Sequence, residues 1–330
     1  MRKPHLRLAV MNNCNLSCIY CRAGGEGVIC NEVMSKDEIM KALRIAGKAG
    51  YSYLKVTGGE PLLREEIYHD LFEIISSAAK EKLFAGIGMV TNGVLLKKYA
   101  EETVNSGIDS LTVSLDTADK DLFKFITGGD CFCDVIDGIK TVKSMGMKVN
   151  INAVISDLNI DGVPALIDLA KTLGVDLKLI DYVEFDLTTD GNETKQLHYV
   201  PFDRIYNYLE ENFTDISKEM EFPYGGLGTP MAVYTLSDEC KLYIKDATVG
   251  TNYNEGCKQC ENYPCQDALI SMRITADGQL KKCLIRDDNL VPFLDDIRCG
   301  RIEEAERKIS SSWGELIDTE YCPGKWRSKS

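Results

Sequence analysis

Six short apolar runs, at residues 6–10, 53–57, 86–91, 110–115, 148–155 and 176–180, alternate with helical patterns through the first 180 residues of this 330-residue chain. Each run is β-rich and closed by a turn signal, and patterns of helical period fill the gaps. That alternation leaves few folds, because consecutive βα units build a parallel sheet covered by helices. The clearest helix opens at Ser35, where Ser35-Lys36-Asp37-Glu38 forms a capping box ahead of Ile39, Leu43 and Ala46. Others are expected around 71–79, 95–106, 135–145 and 163–173. Six such units curl into a partial (β/α)6 barrel of the TIM type, an α/β fold whose chemistry lies on the loops after the carboxyl ends of the strands.

The unusual residues fall at that face. Cys14 to Cys21 follows the first run, Gly58 to Pro61 the second, Asn92-Gly93 the third and Asp116 the fourth. After about residue 215 the alternation stops. A barrel domain of residues 1–215 is therefore expected to precede a small Cys-rich C-terminal domain of residues 216–330. The second part holds Gly225-Gly226-Leu227-Gly228, then Cys257, Cys260, Cys265 and Cys283, a strand-turn-strand pattern over 272–282 and a helix near 302–309.

Charge and composition narrow the function. With 38 basic and 51 acidic residues the net charge is −13, which argues against nucleic acid or an anionic membrane as partner and still allows a local basic pocket. No apolar run approaches the roughly 18 residues of a membrane span, and no hydrophobic leader follows Met1, so a cytoplasmic location is expected. His5, His69 and His198 lie far apart, which gives His-rich zinc sites and Ser-His-Asp triads little material. Thirteen cysteines, an odd number spread along a chain too long to need staples, read as reduced thiols for metals rather than as a disulfide framework.

Three of them stand as C-x3-C-x2-C, in Cys14-Asn15-Leu16-Ser17-Cys18-Ile19-Tyr20-Cys21. At this cysteine content the triplet arises by chance roughly 0.02 times in such a chain, whereas a lone C-x2-C is expected about half the time. Three thiolates hold three corners of a cubane [4Fe-4S] cluster and leave the fourth iron open for reaction. The competing reading is three buried thiols or an incomplete zinc knuckle. Cys257, Cys260, Cys265 and Cys283 could supply four ligands to a second cluster, or to a structural zinc ion.

The cysteine loop, with an aromatic before its last cysteine, resembles that of the radical S-adenosylmethionine (SAM) enzymes. The resemblance extends to Gly58-Gly59-Glu60-Pro61, Thr91-Asn92-Gly93, Val113-Ser114-Leu115-Asp116 and Ile274-Thr275-Ala276-Asp277-Gly278, and the chain is most similar to the MoaA family of GTP 3′,8-cyclases. It implies that SAM chelates the open iron and yields a 5′-deoxyadenosyl radical that abstracts a substrate hydrogen. A small-molecule or peptide substrate and a reducing partner of flavodoxin or ferredoxin type are implied with it. Gly58 and Gly59 would let backbone approach SAM and Glu60 would accept from its ammonium group. Tyr20 would lie against adenine, Ser114 would hydrogen-bond the cofactor, and Lys178 would meet the methionine carboxylate.

Substrate recognition transfers less completely. Arg7 and Arg273 match nucleotide-contacting arginines of the family, but Lys55 replaces an arginine and loses its bidentate fork. Val90, Asn150 and Ser271 replace a threonine, a lysine and an arginine, and the chain ends Arg327-Ser328-Lys329-Ser330 without paired glycines. In the second cysteine set the family's second cysteine aligns with Leu269, while Cys265-x12-Gly278-x4-Cys283 resembles the opening of SPASM/twitch modules. Four bound cysteines would leave that cluster no open iron. The readings are a radical SAM enzyme on a small molecule or peptide, a GTP 3′,8-cyclase, a peptide maturase, or a non-catalytic iron–sulfur or zinc protein. Gly24-Gly25-Glu26-Gly27 and Gly225 to Gly228 read as mobile loops or phosphate cradles, and Cys299 or Cys322 as further candidates for the second site.

Overall fold

Strands β1 (His5–Ala9), β2 (Tyr53–Thr57), β3 (Gly86–Thr91), β4 (Ser110–Ser114), β5 (Val149–Ile155) and β6 (Asp176–Asp181) lie side by side in chain order, all parallel. They come from a computed structural model that describes residues 4–21, 32–183, 197–213, 217–222, 227–267, 269 and 271–324. Gly24 to Gly27, Cys30, Gly225-Gly226 and residues 327–330 lie outside the described residues. The six strands are those the hydrophobic pattern predicts.

The remaining strands are β7 (Lys218–Glu221), β8 (Met231–Ser237), β9 (Cys240–Lys245), β10 (Gly250–Tyr253), β11 (Ser271–Ile274), β12 (Gln279–Lys281), β13 (Val291–Pro292) and β14 (Glu320–Pro323). Among the described residues twelve strands form one sheet in the order β13-β12-β11-β1-β2-β3-β4-β5-β6-β9-β8-β7, and β10 pairs with β14 separately. Strand β11 pairs in parallel with β1, and β9 with β6. Residues beyond 215 thus extend the parallel run at both ends. The strand-turn-strand pattern over 272–282 is the antiparallel β11–β12 pair.

Each strand of the barrel presents one face to helices and one to the interior. In β1 and β2, Leu6, Leu8, Leu54 and Val56 are fully buried, while His5, Arg7, Tyr53 and Lys55 alternate with them and are half-buried. The apolar side packs on helices such as Lys36–Ala49, whose Ser35 and Glu38 make the reciprocal bonds of the capping box and which buries Ile39, Leu43 and Ala46. Truncating Ile39 or Leu43 to Ala removes about 2–5 kcal/mol. The polar side lines the barrel, so its interior is a chemically equipped chamber rather than stacked apolar layers.

Two helix expectations need correction. The helix expected at 95–106 spans only Ala100–Asn105, with turns before it, and the last helix runs further than expected, Ile302–Ile317. Helices Pro61–Tyr68, Lys120–Thr127 and Asp203–Asn212 are additional. The first starts with Glu60 as N-cap and Pro61 in its first turn, where a missing N–H is harmless. Among the described residues no helix is long and apolar enough to cross a membrane.

Candidate functional site

The loop after β1 carries Cys14 and Cys21 exposed and Cys18 half-buried. Four neighbouring segments hold it. From the loop after β2, Gly59 donates its N–H to Met11 O at 2.8 Å and Glu60 donates to Asn13 O at 2.9 Å. From the end of β3, Asn92 Nδ2 reaches Asn15 Oδ1 at 2.8 Å and Cys14 Sγ at 3.6 Å. From helix Lys120–Thr127, the carbonyls of Thr127 and Ile126 accept from Ser17 and Ile19 at 2.9 Å each. From the end of β4, Asp116 accepts the Tyr20 hydroxyl at 2.5 Å.

The two glycines have a reason inside the chain itself. A Cβ at Gly59 would sit 2.1 Å from Asn13 O, and one at Gly58 would sit 2.5 Å from Met11 O. Only glycine lets this turn pack against the backbone that leads into Cys14. Glu60 is fully buried, and its carboxylate accepts from Leu62 N at 3.0 Å, Thr91 Oγ1 at 2.7 Å and Asn92 N at 2.7 Å. Burial raises its pKa, and these three donors oppose the rise. Glu60 therefore fixes Asn92, and Asn92 touches the first thiol.

Ser114, Tyr20, Cys18, Asn92 and Asp116 line one small pocket beside the loop. The Cys18 and Cys21 thiols share a hydrogen bond, which raises Cys18 and lowers Cys21, while burial raises Cys14. Among the described residues no three ligating side chains converge on a point for a single ion. Cys14, Cys18 and Cys21 thus stand on one anchored loop, with two of the three exposed.

Below the loop the barrel interior is cationic. Register places Arg7 of β1 between Arg273 of β11 and Lys55 of β2, and Lys55 Nζ donates to Thr112 Oγ1 at 3.3 Å. Lys178 of β6 stands close enough to Lys55, Lys245 and Arg7 that burial first, and these charges next, push its pKa down to about 7. Burial, Lys55, Arg7 and Lys178 likewise push His5 down to about 4, so it is neutral near pH 7. Two carboxylates stand among these cations. Asp181 lies 3.3 Å from Lys245 Nζ and Asp267 3.5 Å from Arg273 Nη2. Asp181 also accepts from Ala247 N at 2.9 Å and Gln266 Nε2 at 3.4 Å, which ties β6 to the cysteine-rich segment.

Lys245 was not singled out by sequence, since it lies past the regular βα pattern; its signal is the β6–β9 pairing. Asn92 was visible only as part of a motif. Its position at the carboxyl end of β3 is what marks it.

All four cysteines of the second set border the same cavity, without converging on a single point. Cys257, Cys260, Cys265 and Cys283 line one cavity of about 220 Å³, with Asn254, Asn289, Lys282 and Arg286 also in its wall. Asn254 caps the short helix Glu255–Lys258 by accepting from Cys257 N at 2.9 Å, and Tyr253 donates its hydroxyl to Cys265 O at 2.6 Å. Leu269 lines the same cavity as an apolar wall. Cys322 packs beside Tyr253, whereas Cys299 is exposed at the end of helix Leu294–Arg298.

The model of the radical SAM superfamily matches residues 8–170. A probable GTP 3′,8-cyclase of Methanococcus aeolicus is 33% identical over 298 residues, covering 89% of this chain and 90% of the relative. The chain belongs to the radical SAM superfamily, among its MoaA-like members. A probable GTP 3′,8-cyclase of Archaeoglobus fulgidus is 32% identical over 291 residues, covering 87% of each chain. In fold, this radical SAM enzyme is similar to SAM-bound anSMEcpe, with a TM-score of 0.59 at 15% identity over 99% of this chain and 92% of that one. It is similar also to SuiB of Streptococcus suis, with a TM-score of 0.63 at 16% identity, covering 89% of this chain and 64% of the longer one. Membership brings with it a [4Fe-4S] cluster and SAM as cofactors.

Proposed function

We propose that the barrel binds an anionic small molecule, with GTP the first candidate, and that radical chemistry is directed at it there. The observation that carries this reading is the row Arg273-Arg7-Lys55 on three adjacent strands, with Lys178 and Lys245 nearby. A chain of net charge −13 gathers these cations in one chamber, and such a chamber attracts a polyanion. The relatives named probable GTP 3′,8-cyclase support the same choice.

Cys14, Cys18 and Cys21 would hold the first cluster. When bound and reduced, that cluster with SAM supplies a 5′-deoxyadenosyl radical able to remove a substrate hydrogen atom. Ser114 and Tyr20 line the pocket next to Cys18 and would border the nucleoside part of SAM, and Lys178 would meet a carboxylate or a substrate phosphate. Glu60 orients Asn92 and the turn that packs on the cysteine loop rather than standing open to solvent. Arg7 and Arg273 orient the anion, while Lys55 offers a point charge in place of a planar fork. Cys257, Cys260, Cys265 and Cys283 would hold a second cluster, each taking one iron corner. A low-potential electron donor completes the system.

The test is anaerobic titration of the reconstituted protein with GTP, followed by reduction with dithionite and mass analysis. Saturable binding weakened at least tenfold in R7A, with GTP-dependent release of 5′-deoxyadenosine and a cyclised nucleotide, is the expected result. Absence of GTP binding overturns the reading.

A further inference from the structure

We propose that Arg64 is a positioning residue for the first cluster site, a clamp that joins both roots of the cysteine loop to the helix capped by Glu60 and so sets where SAM meets the cluster. The inference rests on reading Cys14, Cys18 and Cys21 as the ligands of that cluster.

Arg64 lies on helix Pro61–Tyr68 and is only 1% exposed. A guanidinium buried this far must be paired, and its planar fork here meets three segments at once. Nε and Nη2 donate to the two carboxylate oxygens of Asp70 at 2.6 and 2.8 Å. Nη1 donates to Val10 O at 2.7 Å, and Nη2 also reaches Met34 O at 3.2 Å. Val10 directly follows β1, Met34 directly precedes the Ser35 cap, and all three thiols of the first site stand between them in sequence. Both roots are buried and each is held a second time, since Val10 donates its N–H to Thr57 O at 2.9 Å and Met34 donates to Ala276 O at 2.8 Å.

The helix that carries Arg64 is capped by Glu60, whose carboxylate orients Asn92 and whose turn is bonded to Met11 O and Asn13 O. One helix thus registers the cysteine loop against the Gly58-Gly59-Glu60 turn. Functional groups must be held within about 0.5 Å of the productive geometry, so a loop released at its roots can keep its iron and still present the open corner wrongly to SAM. Lysine at position 64 keeps the charge but offers one ammonium in place of a planar fork, and it cannot hold Asp70 and both carbonyls together.

The experiment uses the anaerobically reconstituted full chain, with iron counted first and the first cluster then titrated with SAM by electron paramagnetic resonance. In wild type SAM should change the first cluster's signal; a signal indifferent to SAM overturns the reading of the cysteine loop itself, before any variant is made. R64K should keep the wild-type iron content and need roughly tenfold more SAM for half-conversion of that signal. A merely structural residue would lower the melting temperature and leave that midpoint in place, so a wild-type SAM midpoint in R64K overturns the proposal. Loss of the first cluster in a protein that still folds shows the thiols themselves displaced and supports it. If R64K does not fold, the double variant R64M/D70N decides, since it removes the clamp together with its counter-charge and leaves no ion buried alone. A weakened SAM response there supports the proposal, and a wild-type response overturns it.

Discussion

Tyr20, one residue before the last thiol of the cysteine loop, donates its hydroxyl across 2.5 Å to Asp116, which is buried at the end of β4. Asp116 is held in turn by Val154 N at 2.7 Å, and its carbonyl accepts from Asn159 Nδ2 at 2.9 Å. Burial pushes the Asp116 carboxyl up to about 6, with Tyr20 and Val154 opposing the rise. The position of Cys18 and Cys21 thus depends on a side-chain bond that spans 96 residues of sequence.

Removing that bond separates the latch from the aromatic ring. Y20F keeps the ring and leaves a buried carboxylate short of one donor, a loss of about 1–3 kcal/mol. Thermal unfolding should show the lower stability, and chelator challenge should strip iron from the first site faster than in wild type. Equal melting and equal iron retention would show that the loop is positioned without this bond.

Gly59 offers a harsher test. The Cβ of G59A would lie 2.1 Å from Asn13 O and 2.4 Å from Asn12 O, both backbone atoms that cannot swing aside. The turn and the cysteine loop must separate, and strain of this kind typically amounts to about 1–3 kcal/mol or more. We expect G59A to fold with reduced stability and to take up less iron at the first site on reconstitution. Wild-type iron content with wild-type melting would mean that the loop accommodates the methyl group without moving the thiols.

How much of this was legible depended on the range of the interactions. Strands β1 to β6 were readable because each is a local apolar run, and the Ser35 capping box is contained within four residues. The pairing of β11 with β1 was not, because Ser271–Ile274 finds its partner more than 260 residues away and no local period announces it. The same pairing brings Arg273 alongside Arg7, so the cationic row was visible as residues and not as a row. Glu60 shows the reverse: the residue was conspicuous in its motif, and its three internal hydrogen bonds could be read only from the fold.

Lys178 gives the barrel a defined pH response. Burial and its cationic neighbours hold it at about 7 instead of 10.5, so the folded chain disfavours its charged form and at pH 8 most of it is neutral. A bound anion restores the charge, and binding near pH 8 must therefore take up a proton. Affinity should fall between pH 7 and 10 by at most tenfold per unit, about 1.4 kcal/mol. Calorimetry of GTP binding in two buffers of different ionisation enthalpy measures the uptake directly, and K178M should abolish it. Binding without proton uptake in wild type would place the anion away from Lys178.

The fourth ligand of the second site can be assigned by comparing two thiols that lie close together. Cys265 lines the cavity, and its carbonyl is fixed by the Tyr253 hydroxyl at 2.6 Å. Cys322 sits on β14 opposite Thr251, is 8% exposed, and packs in the cluster that contains Tyr253, Cys257 and Cys265. Cys322 reads as packing, because a sulfur buried beside tyrosine behaves as a small apolar group. C322A should therefore retain about eight irons with an unchanged spectrum of the second cluster, at a modest loss of stability. C265A should lower the iron content or convert the second cluster to a species with an altered paramagnetic signature, because one iron corner loses its thiolate. The opposite pattern, with iron lost in C322A and retained in C265A, would move the fourth ligand to β14 and leave Cys265 as part of the cavity wall.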